Sequence, residues 1–126
     1  MTPPQPYAGI VLLVGGDLNA QVRVGDAAHR AGGTLQRVAS EDLATEIASK
    51  APSMVVIDLD EVGAEALTAV PRDSSPDGPM VVAYFSHVDG ALGESARQAG
   101  VAALPRGRFW RELPSLVESA FARGRG

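Results

Sequence analysis

The chain has 126 residues, 45% of them apolar and 21% charged, with a formal net charge of −4. That length suits one domain with a core of its own, and the acidic balance argues against general nucleic-acid binding. The absence of cysteine excludes disulfides, thiolate metal sites and cysteine nucleophiles, and apolar runs far short of about 20 residues exclude a membrane-spanning helix.

Ile10–Val14 is the first apolar run and reads as a strand buried on both faces. Gly15, Gly16 and Asp17 follow. Leu18, Val22, Ala27, Ala28 and Ala31 then recur at helical spacing until Gly32-Gly33 stops the helix. Thr34–Ala39 is a short second strand. Ser40 is a suitable N-cap, with Glu41 and Asp42 in the first turn where the helix dipole favours acids. Leu43, Ala44, Ile47, Ala48 and Ala51 form that helix's inner stripe, and Pro52 ends it.

Met54–Leu59 is the third strand, and it delivers a carboxylate, Asp58, to its carboxyl end. A weaker third helix carries Ala64, Leu67 and Val70 as far as Pro71, and Arg72–Pro79 is turn chemistry throughout. Met80–Phe85 is the fourth strand and ends at Ser86-His87. Asp89 caps a fourth helix holding Leu92, Ala96 and Ala99, weakened by Gly90 and Gly93 and stopped by Gly100. Val101–Leu104 is the fifth strand, and Pro105-Arg106-Gly107-Arg108 reads as a loop. Leu113, Leu116, Val117, Ala120 and Phe121 make a fifth, amphipathic helix, in which Pro114 is tolerable only within the first turn.

Strands alternating with helices predict right-handed βαβ crossovers, hence an α/β domain whose parallel sheet carries helices on both faces. A single domain over 7–122 is expected, with flexible ends at 1–6 and 123–126. The Pro-rich Met1–Pro6 lacks the basic segment and apolar core of a signal peptide, so a cytoplasmic location is expected. In open α/β sheets, sites are built outside the carboxyl ends of the strands, which singles out Asp58 and the glycine pair.

With the strands placed, the chain resembles the receiver domain of two-component response regulators. Val11–Val14 matches the family's first strand, and Pro52–Asp58 matches the segment leading to its phospho-accepting aspartate. Pro79–Ser86 matches the fourth strand with a terminal Ser/Thr switch. Ala99-Gly100-Val101 matches the turn before strand five, and Phe109 falls where the family has Phe after Lys-Pro. The resemblance implies a flavodoxin-like, doubly wound sheet of five strands in the order 2-1-3-4-5 with five helices, and a role in signal transduction.

The departures point to a degenerate, pseudo-receiver form. The two adjacent acids that hold Mg²⁺ in the family are replaced by Gly15 and Gly16. No alignment supplies the family's lysine, since Leu104, Pro105, Arg106 or Gly107 takes its place. Phosphoryl transfer between anionic groups depends on cations that neutralise the transferring oxygens, so Asp58 without them is expected to be an acceptor in position only. A protein-interaction module that works without phosphorylation, with no cofactor and no enzymatic activity, is the expectation.

An alternative keeps Asp58 as phospho-acceptor, with Mg²⁺ held by Asp17 and Asp60, Arg106 in the lysine's role and Ser86 as the hydroxyl that meets the phosphoryl group. The competing reading of the same residues makes Asp17 a helix cap, Asp60 a solvated acid and Ser86 a turn hydroxyl. A third possibility, a ligand at the Gly15-Gly16 turn, lacks G-x-G-x-x-G and a P-loop Lys-Ser/Thr. His29 and His87 read as surface residues.

Charge is uneven along the chain. Residues 1–105 hold six basic and thirteen acidic side chains, whereas residues 106–126 hold five basic and two acidic. The basic segment is either a solvated helix face or a contact surface of Arg106, Arg108, Phe109, Trp110 and Arg111, since aromatic and Arg side chains are enriched in interfaces. By resemblance the partner is a protein, or a second copy met through helix 4, strand 5 and helix 5, with no nucleic acid and no membrane. Direct transcriptional output is not expected.

Overall fold

The computed structural model describes residues 9–70, 78–86 and 90–125. Five parallel strands form one sheet in the order β2-β1-β3-β4-β5: β1 is Ile10–Val14, β2 Thr34–Val38, β3 Met54–Asp58, β4 Met80–Phe85 and β5 Ala102–Pro105. The helices are α1 Leu18–Arg30, α2 Leu43–Lys50, α3 Leu59–Val62, α4 Gly90–Gln98 and α5 Arg106–Arg125, and 3₁₀ segments at Ser40–Asp42 and Ala64–Ala69 add to the five expected. The flavodoxin-like order expected from the sequence is the order found.

The central strands explain the sheet. Every residue of β3 is buried, and so are Val11–Val14 of β1, because helices cover both faces and each strand must be apolar on both. Side-chain alternation divides the core. Val11, Leu13, Met54, Val56, Val82 and Tyr84 face α1 and α5. Leu12, Val14, Val55, Ile57, Ala83 and Phe85 face the opposite layer of α2, α3, the 3₁₀ segments and α4.

Several expectations are corrected. Helix α1 buries Ala20, Val24, Ala27 and Ala28, while Leu18 and Val22 are 73% and 62% exposed; both sets share helical spacing, and the sheet selects one. Ser40 lies inside a 3₁₀ segment and gives no side-chain cap to α2. The expected third helix is replaced by the single turn of α3, which Gly63 ends at φ +73°, and by the 3₁₀ segment carrying Ala66 and Leu67 inward.

The largest correction concerns Pro105–Arg108. Pro105 closes β5 and Arg106 opens α5, where the sequence reads as a loop. Pro114 sits well inside α5 rather than in its first turn. Its ring removes one helical hydrogen bond, but the buried row Phe109, Leu113, Val117, Ala120 and Phe121 spans it and holds both sides to the sheet. The last turn of α5 reaches into the 123–126 stretch. Residues 1–6, Arg72–Asp77, His87 and the Asp89 cap lie outside the described residues.

Candidate functional site

Asp58 ends β3 and is the one buried charged side chain among the described residues, 3% exposed. Both of its oxygens are engaged. The Tyr84 hydroxyl donates to Oδ2 at 3.1 Å. The Glu61 N–H donates to Oδ1 at 3.3 Å, making Asp58 the cap of α3, and Arg106 Nη2 lies 3.6 Å from the same oxygen. Burial raises the Asp58 carboxyl above the usual carboxylate range, against the opposing pull of Tyr84, Arg106 and the Glu61 N–H. Burial, then the charge of Asp58, pushes the Tyr84 phenol far above its ordinary value.

Tyr84 is the residue that sequence reasoning missed. Parallel pairing sets it directly beside Asp58, in the register Asp58↔Tyr84. The hydroxyl next to the carboxylate is therefore Tyr84's, two positions before Ser86. Ser86 meets the site through its backbone N–H, which donates to Asp60 Oδ1 at 3.0 Å. A polar-tipped aromatic near the end of an otherwise apolar strand was the available signal.

Asp60 projects from α3 to the β4–β5 side, where Arg106 Nη2 donates to its Oδ2 at 3.2 Å. Arg106 thus stands between Asp58 and Asp60 with its guanidinium 5.1 Å from the Tyr84 ring centroid. Burial would lower its pKa, but the hydrogen bond it donates to Asp60 and the charge of Asp58 more than offset this and raise it. Behind this group the Tyr84 ring stacks on Phe109 at 4.7 Å and tilts against Trp110 at 5.3 Å.

On the other flank, Gly16 N–H donates to Glu61 Oε2 at 2.6 Å. Gly15 and Gly16 adopt φ +76° and +89°, which favours glycine. A Cβ on Gly15 would lie 3.1 Å from Val62 Cγ1 and 3.3 Å from Asp58 Cβ, and one on Gly16 3.3 Å from Leu13 Cδ2 and 3.5 Å from the Tyr84 hydroxyl. Side chains at these two positions would be tight against Val62 and Asp58 on one side and Ala20 and Leu13 on the other. A cleft of about 380 Å³ beside this turn is lined by Gly15, Arg37, Ser40, Glu61 and others, but the Gly16 N–H that would meet an anion already serves Glu61.

The remaining candidates are scattered. Asp17 caps α1, its Oδ1 accepting from Ala20 N–H at 2.8 Å. Phe109 is wholly buried and belongs to the core rather than to a contact surface. Trp110 is half-buried, Arg111 is exposed, and Arg108 pairs with Glu112 one turn on.

Solved structures with this architecture include response regulators and a signal receiver domain. A response regulator from Thermotoga maritima superposes with a TM-score of 0.69 at 19% identity, over 91% of this chain and 98% of that one. The signal receiver domain of a Luxo repressor protein from Vibrio parahaemolyticus gives 0.69 at 18%, over 93% and 92%. The fold is that of a receiver domain. NtrX from Brucella abortus, in a complex with ADP, gives 0.71 at 18% over 94% of this chain, which spans 27% of that longer protein. No sequence family and no curated protein matches the chain.

Receiver domains of the family described above use Mg²⁺, and the residues here do not fit it. Mg²⁺ requires near-octahedral oxygen ligands, usually anchored by one or two carboxylates. Glycines stand in place of the acid pair, Asp17 is committed to its cap, and a guanidinium lies between Asp58 and Asp60. Among the described residues no three acidic, histidine or cysteine side chains are grouped to hold a metal ion, nor is any helix long and apolar enough to cross a membrane.

Proposed function

We propose that this chain is a receiver-like signalling domain, a pseudo-receiver, that acts in the cytoplasm as a protein-interaction module without being phosphorylated and without catalytic activity of its own. One observation carries the reading: both oxygens of Asp58 are already bonded within the protein, by Tyr84, Glu61 and Arg106. A phospho-accepting carboxylate must attack phosphorus with a free oxygen, while a cation neutralises the transferring group. Here the Tyr84 hydroxyl and the Arg106 guanidinium stand beside those oxygens. The exposed parts of β5 and α5, with Arg108, Trp110 and Arg111, form the surface offered to a protein partner or to a second copy.

The test is direct. The intact protein is incubated with acetyl phosphate and Mg²⁺ and weighed by mass spectrometry. No mass increase is expected. A stoichiometric phosphate adduct that disappears in Asp58→Asn would overturn the reading in favour of phospho-acceptance with Asp17 and Asp60 assisting.

A further inference from the structure

The start of α5 is the place where local sequence preference and structure disagree most. Pro105 precedes the helix and has no side-chain acceptor to cap it. The first turn, Arg106-Gly107-Arg108, contains no acid, so its charges oppose the positive end of the helix dipole. Gly107 costs a further ~1 kcal/mol relative to Ala. Something outside the helix must supply the missing anions. Asp58 and Asp60 do so, at 3.6 and 3.2 Å from Arg106 Nη2.

From this point the contacts run outward without a gap. Asp58 bonds Tyr84, whose ring stacks on Phe109 and touches Trp110. Phe109 and Trp110 meet edge to face at 5.0 Å, and the guanidinium of Arg23 on α1 lies 5.2 Å from the Trp110 ring centroid. Trp110, Arg23, Leu113 and Pro114 line a groove of about 350 Å³ between α1 and α5.

We propose that Asp58 is a positioning residue: together with Asp60 it clamps Arg106, imposes helix on the first turn of α5, and through Tyr84 and Trp110 fixes the α1–α5 groove. The carboxylate is an internal tie that holds the domain in one state. The inference rests on the proposed function only in taking Asp58 to be free of phosphate, and its test uses none.

Hydrogen exchange of the full chain, followed by mass spectrometry over residues 106–112, reads the clamp; acrylamide quenching of Trp110, the only tryptophan, reads the groove. Asp58→Asn and Arg106→Gln are each expected to speed exchange in that segment about tenfold, as local opening becomes easier, and to raise quenching. The double variant should be no faster than the faster single, because both remove one interaction. Glu94→Gln, which breaks the exposed Glu94–Arg97 pair on α4, should leave both readouts unchanged. Unchanged exchange in Arg106→Gln, or single effects that multiply in the double variant, overturns the clamp. Should Asp58→Asn fail to fold, Asp60→Asn replaces it with the same expectations. A phosphate adduct in the previous experiment would leave these outcomes as they stand, so the two ideas fail separately.

Discussion

The two faces of the sheet are built differently. On one, α1 and α5 run 13 and 20 residues and enclose Tyr84, Phe109, Leu113 and Phe121 in one cluster. On the other, α2 has 8 residues and α3 only 4, with the 3₁₀ segments filling the rest of the layer beside α4. Asp58 belongs by alternation to the first face, alongside Met54 and Val56, and its hydroxyl partner Tyr84 points the same way. The well-packed face therefore reaches up to the carboxylate and seals it, whereas the irregular face supplies the short α3 that bends over the glycine turn. Closure of the site comes from both layers, by aromatic packing on one side and by hydrogen-bonded capping on the other.

The largest effect is expected from removing the centre of the aromatic cluster. Phe109→Ala should cost about 3–5 kcal/mol, measured by urea unfolding, and Leu67→Ala on the irregular face about 2–3 kcal/mol, at the low end for such truncations. Equal losses would mean that the two layers contribute alike and that helix length is a poor guide to packing.

A smaller effect is expected from overfilling the irregular face. Gly93 of α4 lies against Phe85 so closely that a Cβ would stand 2.6 Å from its Cζ. Alanine favours helix by about 1 kcal/mol over glycine, yet overpacking a core costs about 1–3 kcal/mol, so Gly93→Ala should lose about 1 kcal/mol net. A stabilised variant would place slack in that layer that the contacts do not suggest.

The smallest effect concerns pH. Burial holds the Asp58 carboxyl above its unfolded value, so the folded chain keeps that proton more tightly than the unfolded one. The associated stability is full in acid, below the ordinary carboxylate range, and is lost as pH rises through the raised value. Asp58→Asn has no such group. Its unfolding free energy, measured across this range, should therefore gain on the parent's as pH rises and then level. A parent that gains on the variant instead would mean that Arg106 and Tyr84 outweigh burial. A buried charge that lowers stability while fixing geometry is consistent with a positional role.

Much of the fold was legible in the chain itself. The runs Ile10–Val14, Met54–Leu59 and Met80–Phe85 are apolar enough to read as buried strands, and the resemblance supplied their order. Asp58 and the glycine pair stood out because they occupy strand ends. Tyr84 did not, because attention to a terminal hydroxyl favoured Ser86, and only the pairing register brings Tyr84 beside the acid. The start of α5 was illegible for a physical reason: its helix is imposed by carboxylates 46 and 48 positions earlier, not by local preference. Glu61 was likewise silent, as its partner Gly16 lies 45 residues away.

The left-handed glycine turn has a consequence for anyone wishing to rebuild a phosphorylatable domain from this scaffold. Writing two aspartates over Gly15 and Gly16 would force L side chains into φ values of +76° and +89° and press them against Val62 and Leu13. The backbone of the β1–α1 connection would have to be redrawn first, and the Glu61 tether released with it. Residue swaps alone would carry that strain into the domain; grafting the whole connection would relieve it.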